Sequence, residues 1–258
     1  MVKTILRYVA LMSAWLLVSL TATAQTSTEE LWERGNRLYA AGDYNGALMV
    51  YDSIRNEGWA GAKLFYNMGN AYFKSGNLGE AILYYNKAQK LAPADDDVAY
   101  NLAYANSFVK DKIDVVPQFF LAKWIDGVRN LMSSNAWAVV SLVVLALTLA
   151  AGLVYGLGAR RGVRKAGFVA AIVGAVFTLV TASFAASERA DVLDRSEAVV
   201  ITSAAAVKSS PDRTSKDIFI LHEGTKLRVL DTFGAWSEIR IADGNEGWIS
   251  TSAISIID

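Results

Sequence analysis

Side chains able to do covalent or acid–base chemistry are few in this chain, and they are not gathered. His222 is the only histidine and there is no cysteine. That removes thiol nucleophiles, disulfides, cysteine-based zinc sites and a lipidated N-terminal cysteine together. A Ser-His-Asp triad would have to use His222, and no serine stands in the Gly-x-Ser-x-Gly setting that exposes a nucleophile. Ser107-Phe108-Val109-Lys110 spells Ser-x-x-Lys, but the companion motifs of that chemistry are missing. There is no phosphate-binding glycine loop. Asp95, Asp96 and Asp97 suit the start of a helix, where carboxylates meet the positive end of the dipole, better than a metal cluster. A non-enzymatic protein without cofactor or metal is therefore expected, and its informative residues are those that bind.

The candidate binding residues come from a repeat. GNRLYAAGDYNGALMVYDSI at 35–54 aligns on GNAYFKSGNLGEAILYYNKA at 69–88, with an offset of 34 residues. Gly35 and Gly69, and Ala47 and Ala81, are small where two antiparallel helices must cross. Gly42 and Gly76 fall in the turns, where a left-handed backbone needs no Cβ. Asp43 and Asn77 are placed to cap the second helices, with Glu80 completing a box-like pair. The period and residue types resemble the tetratricopeptide (TPR) repeat. Repeats at 28–61 and 62–95 are expected, then a capping helix at 95–112 that starts on Asp95-Asp96-Asp97. Such short arrays usually need about three units, so this one should lean on a partner, the membrane segment or itself. By the family pattern the concave face holds Asn36, Tyr39, Tyr66, Asn70, Phe73, Tyr100 and Tyr104. There the Asn side chains could grip a peptide backbone and the aromatics stack on its side chains. The same residue types also occur where helices merely pack.

Two apolar runs follow, at 136–158 and 166–186, and neither holds a charged residue. About 20 such residues in a helix cross a bilayer core. The 159–165 loop between them carries Arg160, Arg161, Arg164 and Lys165 and no acid. By the positive-inside rule it is cytoplasmic, which puts both flanking regions on the other side. Residues 1–24 read as a secretory signal peptide, with Lys3 and Arg7, an apolar stretch and Ala22-Thr23-Ala24. That agrees with the same topology: a bacterial inner-membrane protein with periplasmic N- and C-terminal domains. Gly152-x-x-x-Gly156 and Ala170-x-x-x-Gly174 would let the two helices approach. With no ionisable group inside either span, an anchor is expected rather than a transporter. Just upstream, 117–132 is amphipathic, with Phe120, Leu121, Trp124, Ile125, Val128 and Leu131 on one stripe. It fits an interfacial helix or a helix closing the repeat array.

After a polar linker at 187–195, residues 196–258 change texture to short β-rich runs punctuated by Gly224, Gly234, Gly244 and Gly247. Val207-Lys208-Ser209-Ser210-Pro211, Leu221-His222-Glu223-Gly224, Gly234-Ala235-Trp236 and Gly247-Trp248-Ile249 resemble, in that order, the bacterial SH3 (SH3b) family. Lys208 and Ser210 depart from its Arg and Gly. Trp248 is expected in the core. Trp236, beside Phe233, is either core or part of a ligand surface.

The stretches flanking the apolar runs carry twelve acidic against nine basic residues at 25–115 and twelve against eight at 187–258. Mildly acidic domains argue against nucleic acid as a partner. The fold class expected is a multidomain membrane protein: an α-helical TPR array, a two-helix transmembrane hairpin and a C-terminal all-β SH3b-like barrel. This order, with Asp111-Lys112-Ile113 after the array, resembles the BatE-like TPR/SH3 membrane proteins of bacterial aerotolerance (Bat) operons. That resemblance implies membrane-anchored von Willebrand A-domain proteins as partners, working with a MoxR-type ATPase in envelope assembly or stress tolerance. The expected role is a scaffold in the lipid bilayer that holds a protein partner. The alternative is a tether whose SH3b domain binds peptidoglycan.

Overall fold

The computed structural model describes residues 28–113 and 119–258. The expected signal peptide and the first two residues of the expected 117–132 helix lie outside them. Helix α1 occupies 28–40, followed by α2 (Tyr44–Asn56), α3 (Ala62–Lys74), α4 (Leu78–Leu91) and α5 (Asp96–Ser107). The pairs α1/α2 and α3/α4 are the two repeats, and α5 caps them. Gly42 and Gly76 turn the chain at φ 81° and 85°, a conformation that costs other residues energy. The small residues at the crossings are required by contact. A Cβ on Gly35 would sit 2.5 Å from the Tyr51 ring, and one on Gly69 2.6 Å from Tyr85. Asp43 caps α2 through the Gly46 N–H, and Asp95 caps α5 through the N–H groups of Asp97 and Val98. The cap expected from Asn77 does not form: its amide donates to the Ser75 hydroxyl at 2.9 Å instead.

Helices α7 (Ser134–Leu157) and α8 (Arg161–Leu193) form a hairpin, and each is long and apolar enough to cross a membrane. The bend is shorter than the 159–165 loop expected, because Arg161, Arg164 and Lys165 belong to the first turns of α8. The helices approach through Gly167, which faces the Ala151 carbonyl and the Tyr155 N–H, and through Gly174 against Thr148. Gly152 and Gly156 have nothing within 4 Å, so the first small-x-x-x-small pattern is not the hairpin's contact. Residues 187–193, read as linker, continue α8. Glu188-Arg189-Ala190-Asp191 contains no breaker, and Glu188 and Asp191 are held by Arg129. The amphipathic helix α6 (Phe120–Arg129) buries none of its residues and therefore does not close the array.

The C-terminal domain is a seven-stranded antiparallel sheet in the order β3-β2-β6-β5-β4-β1-β7. Its strands are β1 (Glu197–Val200), β2 (Ala204–Lys208), β3 (Asp217–His222), β4 (Lys226–Phe233), β5 (Trp236–Arg240), β6 (Glu246–Ser250) and β7 (Ile254–Ile256). Val207, Leu221, Leu227, Ile239, Ile249 and Ile254 fill its core together with Ala198 and Val200. Between these two, Val199 points the other way and joins the core of the repeat array, as does Ile257. Strand β1 is thus buried on both faces. Each of the two side chains contributes about 1.5–3 kcal/mol by leaving water. The array leans on the chain's own β domain, a support that was not among the three expected.

Candidate functional site: the repeat groove and its surroundings

The inner face of the array is organised by a ladder of side chains that repeats with the backbone. Asn36 Oδ1 accepts from the Tyr51 hydroxyl at 2.8 Å and from Asn67 Nδ2 at 3.0 Å. One repeat later Asn70 Oδ1 accepts from the Tyr85 hydroxyl at 2.7 Å and from Asn101 Nδ2 at 3.0 Å. Each rung joins the first helix of a repeat to its own second helix and to the first helix of the next unit. Burial pushes the Tyr51 and Tyr85 hydroxyls above the ordinary phenol range, so both remain protonated donors. Asn101 Nδ2 also donates to the Tyr66 hydroxyl at 2.8 Å. The carbonyl ends of Asn36 and Asn70, two of the side chains expected on the concave face, are therefore engaged inside the protein. The NH₂ groups of Asn36 and Asn70 take no part in these rungs.

What stays open is aromatic. A pocket of about 260 Å³ is lined by Tyr39, Tyr66, Phe73, Tyr85 and Tyr104 with Asn70, Asn101 and Lys74. The Phe73 ring lies 5.6 Å from Tyr104 and 5.7 Å from Phe108, and the last two stand edge to face at 5.1 Å. Five of the seven residues expected on the concave face meet here. Asn36 lies in the neighbouring rung. Tyr100 is 70% exposed and lines no part of this pocket. Tyr104 and Phe108 follow Tyr100 at helical spacing, so α5 extends the groove with an aromatic ridge. The sequence reading missed Asn67 and Asn101, although they carry the same offset as Asn36 and Asn70, and it took Tyr85 as a repeat position rather than as part of the groove. It also missed Lys74, the groove's cation.

On the β domain both tryptophans lie outside the core, and Trp248 is a correction. Alternation along β5 and β6 buries Ser237, Ile239, Gly247 and Ile249. It sends Trp236, Glu238, Trp248 and Ser250 to the outer face. Trp236 pairs across from Ser250 and Glu238 from Trp248, which places the two indoles one diagonal step apart. Phe233, 66% exposed, pairs opposite Trp236 at the end of the β4–β5 hairpin. Lys208 faces Trp248 from β2 and pairs with Asp217 at 2.7 Å.

His222, the last residue of β3, has a partner that the sequence did not disclose. The Asp111 carboxylate accepts from the His222 backbone N–H, the His222 ring Nδ1 and the Thr225 hydroxyl, each at 2.7 Å. Lys110 Nζ lies 3.0 Å from the other ring nitrogen. With the proton on Nδ1, the imidazole donates to Asp111 and accepts from Lys110. Burial raises the Asp111 carboxyl. The three donated bonds outweigh it and hold the group below its usual range. This is a clamp between the end of the array and the β3–β4 turn.

Two family models match the chain. A tetratricopeptide repeat model matches residues 62–95, which covers α3 and α4. A bacterial SH3 domain model matches residues 203–255, nearly the whole β domain. No curated protein matches the chain. Both modules are typically binding units, the first for proteins and the second for cell wall. Helical repeat, apolar hairpin and antiparallel β domain thus stand in the order expected.

Proposed function

We propose that this chain is a non-enzymatic membrane adaptor that holds an extended segment of a protein partner in its repeat groove. The supporting observation is the open aromatic surface of Tyr39, Tyr66, Phe73 and Tyr104 on a backbone stiffened by the asparagine ladder. A rigid, preorganised groove loses little entropy on binding, and aromatic anchors dominate binding energy where they are found. The basic residues at the hairpin bend favour a cytoplasmic bend. That orientation puts both folded domains in the periplasm of a bacterial inner membrane. By domain order the setting is a Bat-type envelope complex, with membrane-anchored von Willebrand A-domain proteins as partners. The test is recovery of partners from mild-detergent membranes with the full-length chain and with a Phe73→Ala/Tyr104→Ala variant. Recovery of von Willebrand A-domain proteins by the first and their loss from the second is expected. Equal recovery by both removes the groove from the proposal.

The outer face of the β domain supports a second reading, a cell-wall tether. Trp236 and Trp248 side by side, flanked by Phe233, form an amphipathic platform of the kind that stacks on sugar rings or peptide. Retention on purified sacculi that falls on Trp236→Ala/Trp248→Ala substitution favours this reading. Unchanged retention sinks it.

A further inference from the structure

Among the described residues, none covers the apolar side of the amphipathic helix α6. Phe120 is 74% and Trp124 66% exposed, and Leu121 and Ile125 are exposed with them. These four lie on one side of the helix, and Lys123, Asp126 and Arg129 lie on the other. An exposed face of this size needs an occupant, and the surroundings name one. The last residue of α6, Arg129, is four residues before the cap of α7 at Ser133. Exposed apolar side chains recur from Ile125 through Leu131 and Met132 to Val139 and Leu142 on the hairpin.

The junction is also fixed. The Trp137 indole donates to the Arg129 carbonyl at 2.8 Å. The Arg129 guanidinium donates to the Ser187 hydroxyl at 2.7 Å and pairs with Glu188 at 3.0 Å and Asp191 at 2.8 Å. Glu188 is 4% exposed. One arginine therefore ties the end of α6 to both helices of the hairpin, at the level where the hairpin leaves its apolar stretch.

We infer that α6 lies in the headgroup layer of the bilayer that α7 and α8 cross, with Phe120, Leu121, Trp124 and Ile125 toward the acyl chains and Arg129 as the residue that holds it there. An interfacial helix of this composition buries its apolar side about 5–10 Å into the headgroup–acyl boundary. Arg129 is a positioning residue: it sets the direction of α6 and touches no ligand. The inference rests on the hairpin spanning the bilayer and is independent of what the groove binds.

The absence of cysteine makes the test direct, because one introduced thiol is unique. Leu121→Cys, Trp124→Cys, Lys123→Cys and Asp126→Cys variants of the full chain are spin-labelled in phosphatidylethanolamine/phosphatidylglycerol nanodiscs. Leu147→Cys in α7 reports the span itself. Accessibility to oxygen, which concentrates in lipid, is compared with that to a water-soluble nickel chelate. The oxygen-to-nickel ratio should be severalfold higher at 121 and 124 than at 123 and 126, and highest at 147. A label at 147 in lipid with all four α6 labels in water overturns the inference. So does shielding of 121 and 124 from both reagents, which would mean a protein surface such as a second copy. An aqueous label at 147 removes the hairpin's span and the inference with it. Arg129→Gln should raise label mobility at 121 and 124 at least twofold, and unchanged mobility removes Arg129 from the proposal.

Discussion

The repeat array has two faces with opposite fates. The outer side of α4 and the end of α5 are committed to the β domain. Val199 and Ile257 enter the array's core, Lys90 Nζ donates to the Asp194 and Ile257 carbonyls, and Lys87 pairs with Asp258. Gly79 lets the Val200 carbonyl approach so closely that a Cβ would stand 2.8 Å from it. The inner side, carried by α1, α3 and α5, shows aromatic rings to solvent and engages its asparagines within the ladder. One repeat thus does two jobs because its faces are chemically separable. Substitutions on the outer side should cost stability, and those on the inner side should cost binding.

The sharpest break of that contrast is Gly224→Val. Gly224 sits at φ +85°, and a Cβ there would lie 2.7 Å from Ile82 and 2.8 Å from Val109. Backbone strain of about 1–3 kcal/mol adds to overpacking of about 1–3 kcal/mol. A loss of about 4 kcal/mol is expected in denaturant unfolding of the full chain in detergent. Gly234→Ala, at φ +57° with open space around it, should cost only about 1 kcal/mol of strain. Similar losses at the two glycines would mean that the Gly224 contact carries no weight.

Asp111→Ala comes next, at about 3 kcal/mol, because it strands the His222 N–H and the Thr225 hydroxyl without their charged acceptor. The clamp should also respond to acid. Its folded-state pKa is depressed, so its contribution is complete above the ordinary Asp range near about pH 4 and is lost as pH falls through the lower folded value. Wild type should therefore lose stability more steeply below about pH 4 than Asp111→Ala does. Parallel curves would show that Asp111 titrates alike folded and unfolded.

How much of this was legible follows from the range of each signal. The repeats could be read because Gly35/Gly69, Ala47/Ala81 and Tyr51/Tyr85 recur in register, and the crossing contacts explain that recurrence. The ladder was half legible: Asn36 and Asn70 stood out, but their use inside the protein depends on Asn67 and Asn101 from the next unit. Of the two uses open to Asn36 and Asn70, packing and ligand, the carbonyl ends serve packing, as a half-buried amide first satisfies its neighbours. Trp248 was placed in the core by its size, whereas strand alternation against Gly247 and Ile249 sends it outward. The Asp111–His222 clamp joins positions 111 residues apart, and no local pattern carries a contact between domains. Residues 187–193 read as linker from their charge, yet charge does not end a helix whose acids find an arginine on another element.

Within the inner face the ladder and the rings should separate in turn. Asn70→Ala removes the acceptor of two part-buried donors and should cost about 2 kcal/mol, and Tyr85→Phe about 1 kcal/mol. A double-mutant cycle on the two should show coupling of at least about 0.5 kcal/mol, as expected for one network. Additive losses would dissolve the ladder into unrelated contacts.

The smallest stability effect is expected where the functional effect is largest. Tyr104→Ala removes edge and tilted contacts with Phe108 and Phe73, worth about 0.5–1.5 kcal/mol beyond burial. Tyr104 is already 49% exposed, so the measured loss should stay near 1 kcal/mol. If the ring is an anchor for a bound peptide, the same change should weaken partner binding by about 2 kcal/mol, roughly 30-fold. Asn70→Ala should do the reverse in proportion, losing more stability than its effect on affinity. The two variants therefore cross over when unfolding free energy and partner retention are measured on the same preparations. A Tyr104→Ala variant that unfolds earlier yet binds as well as wild type would return the aromatic ridge to packing, and the outer face of Trp236 and Trp248 would become the surface to follow.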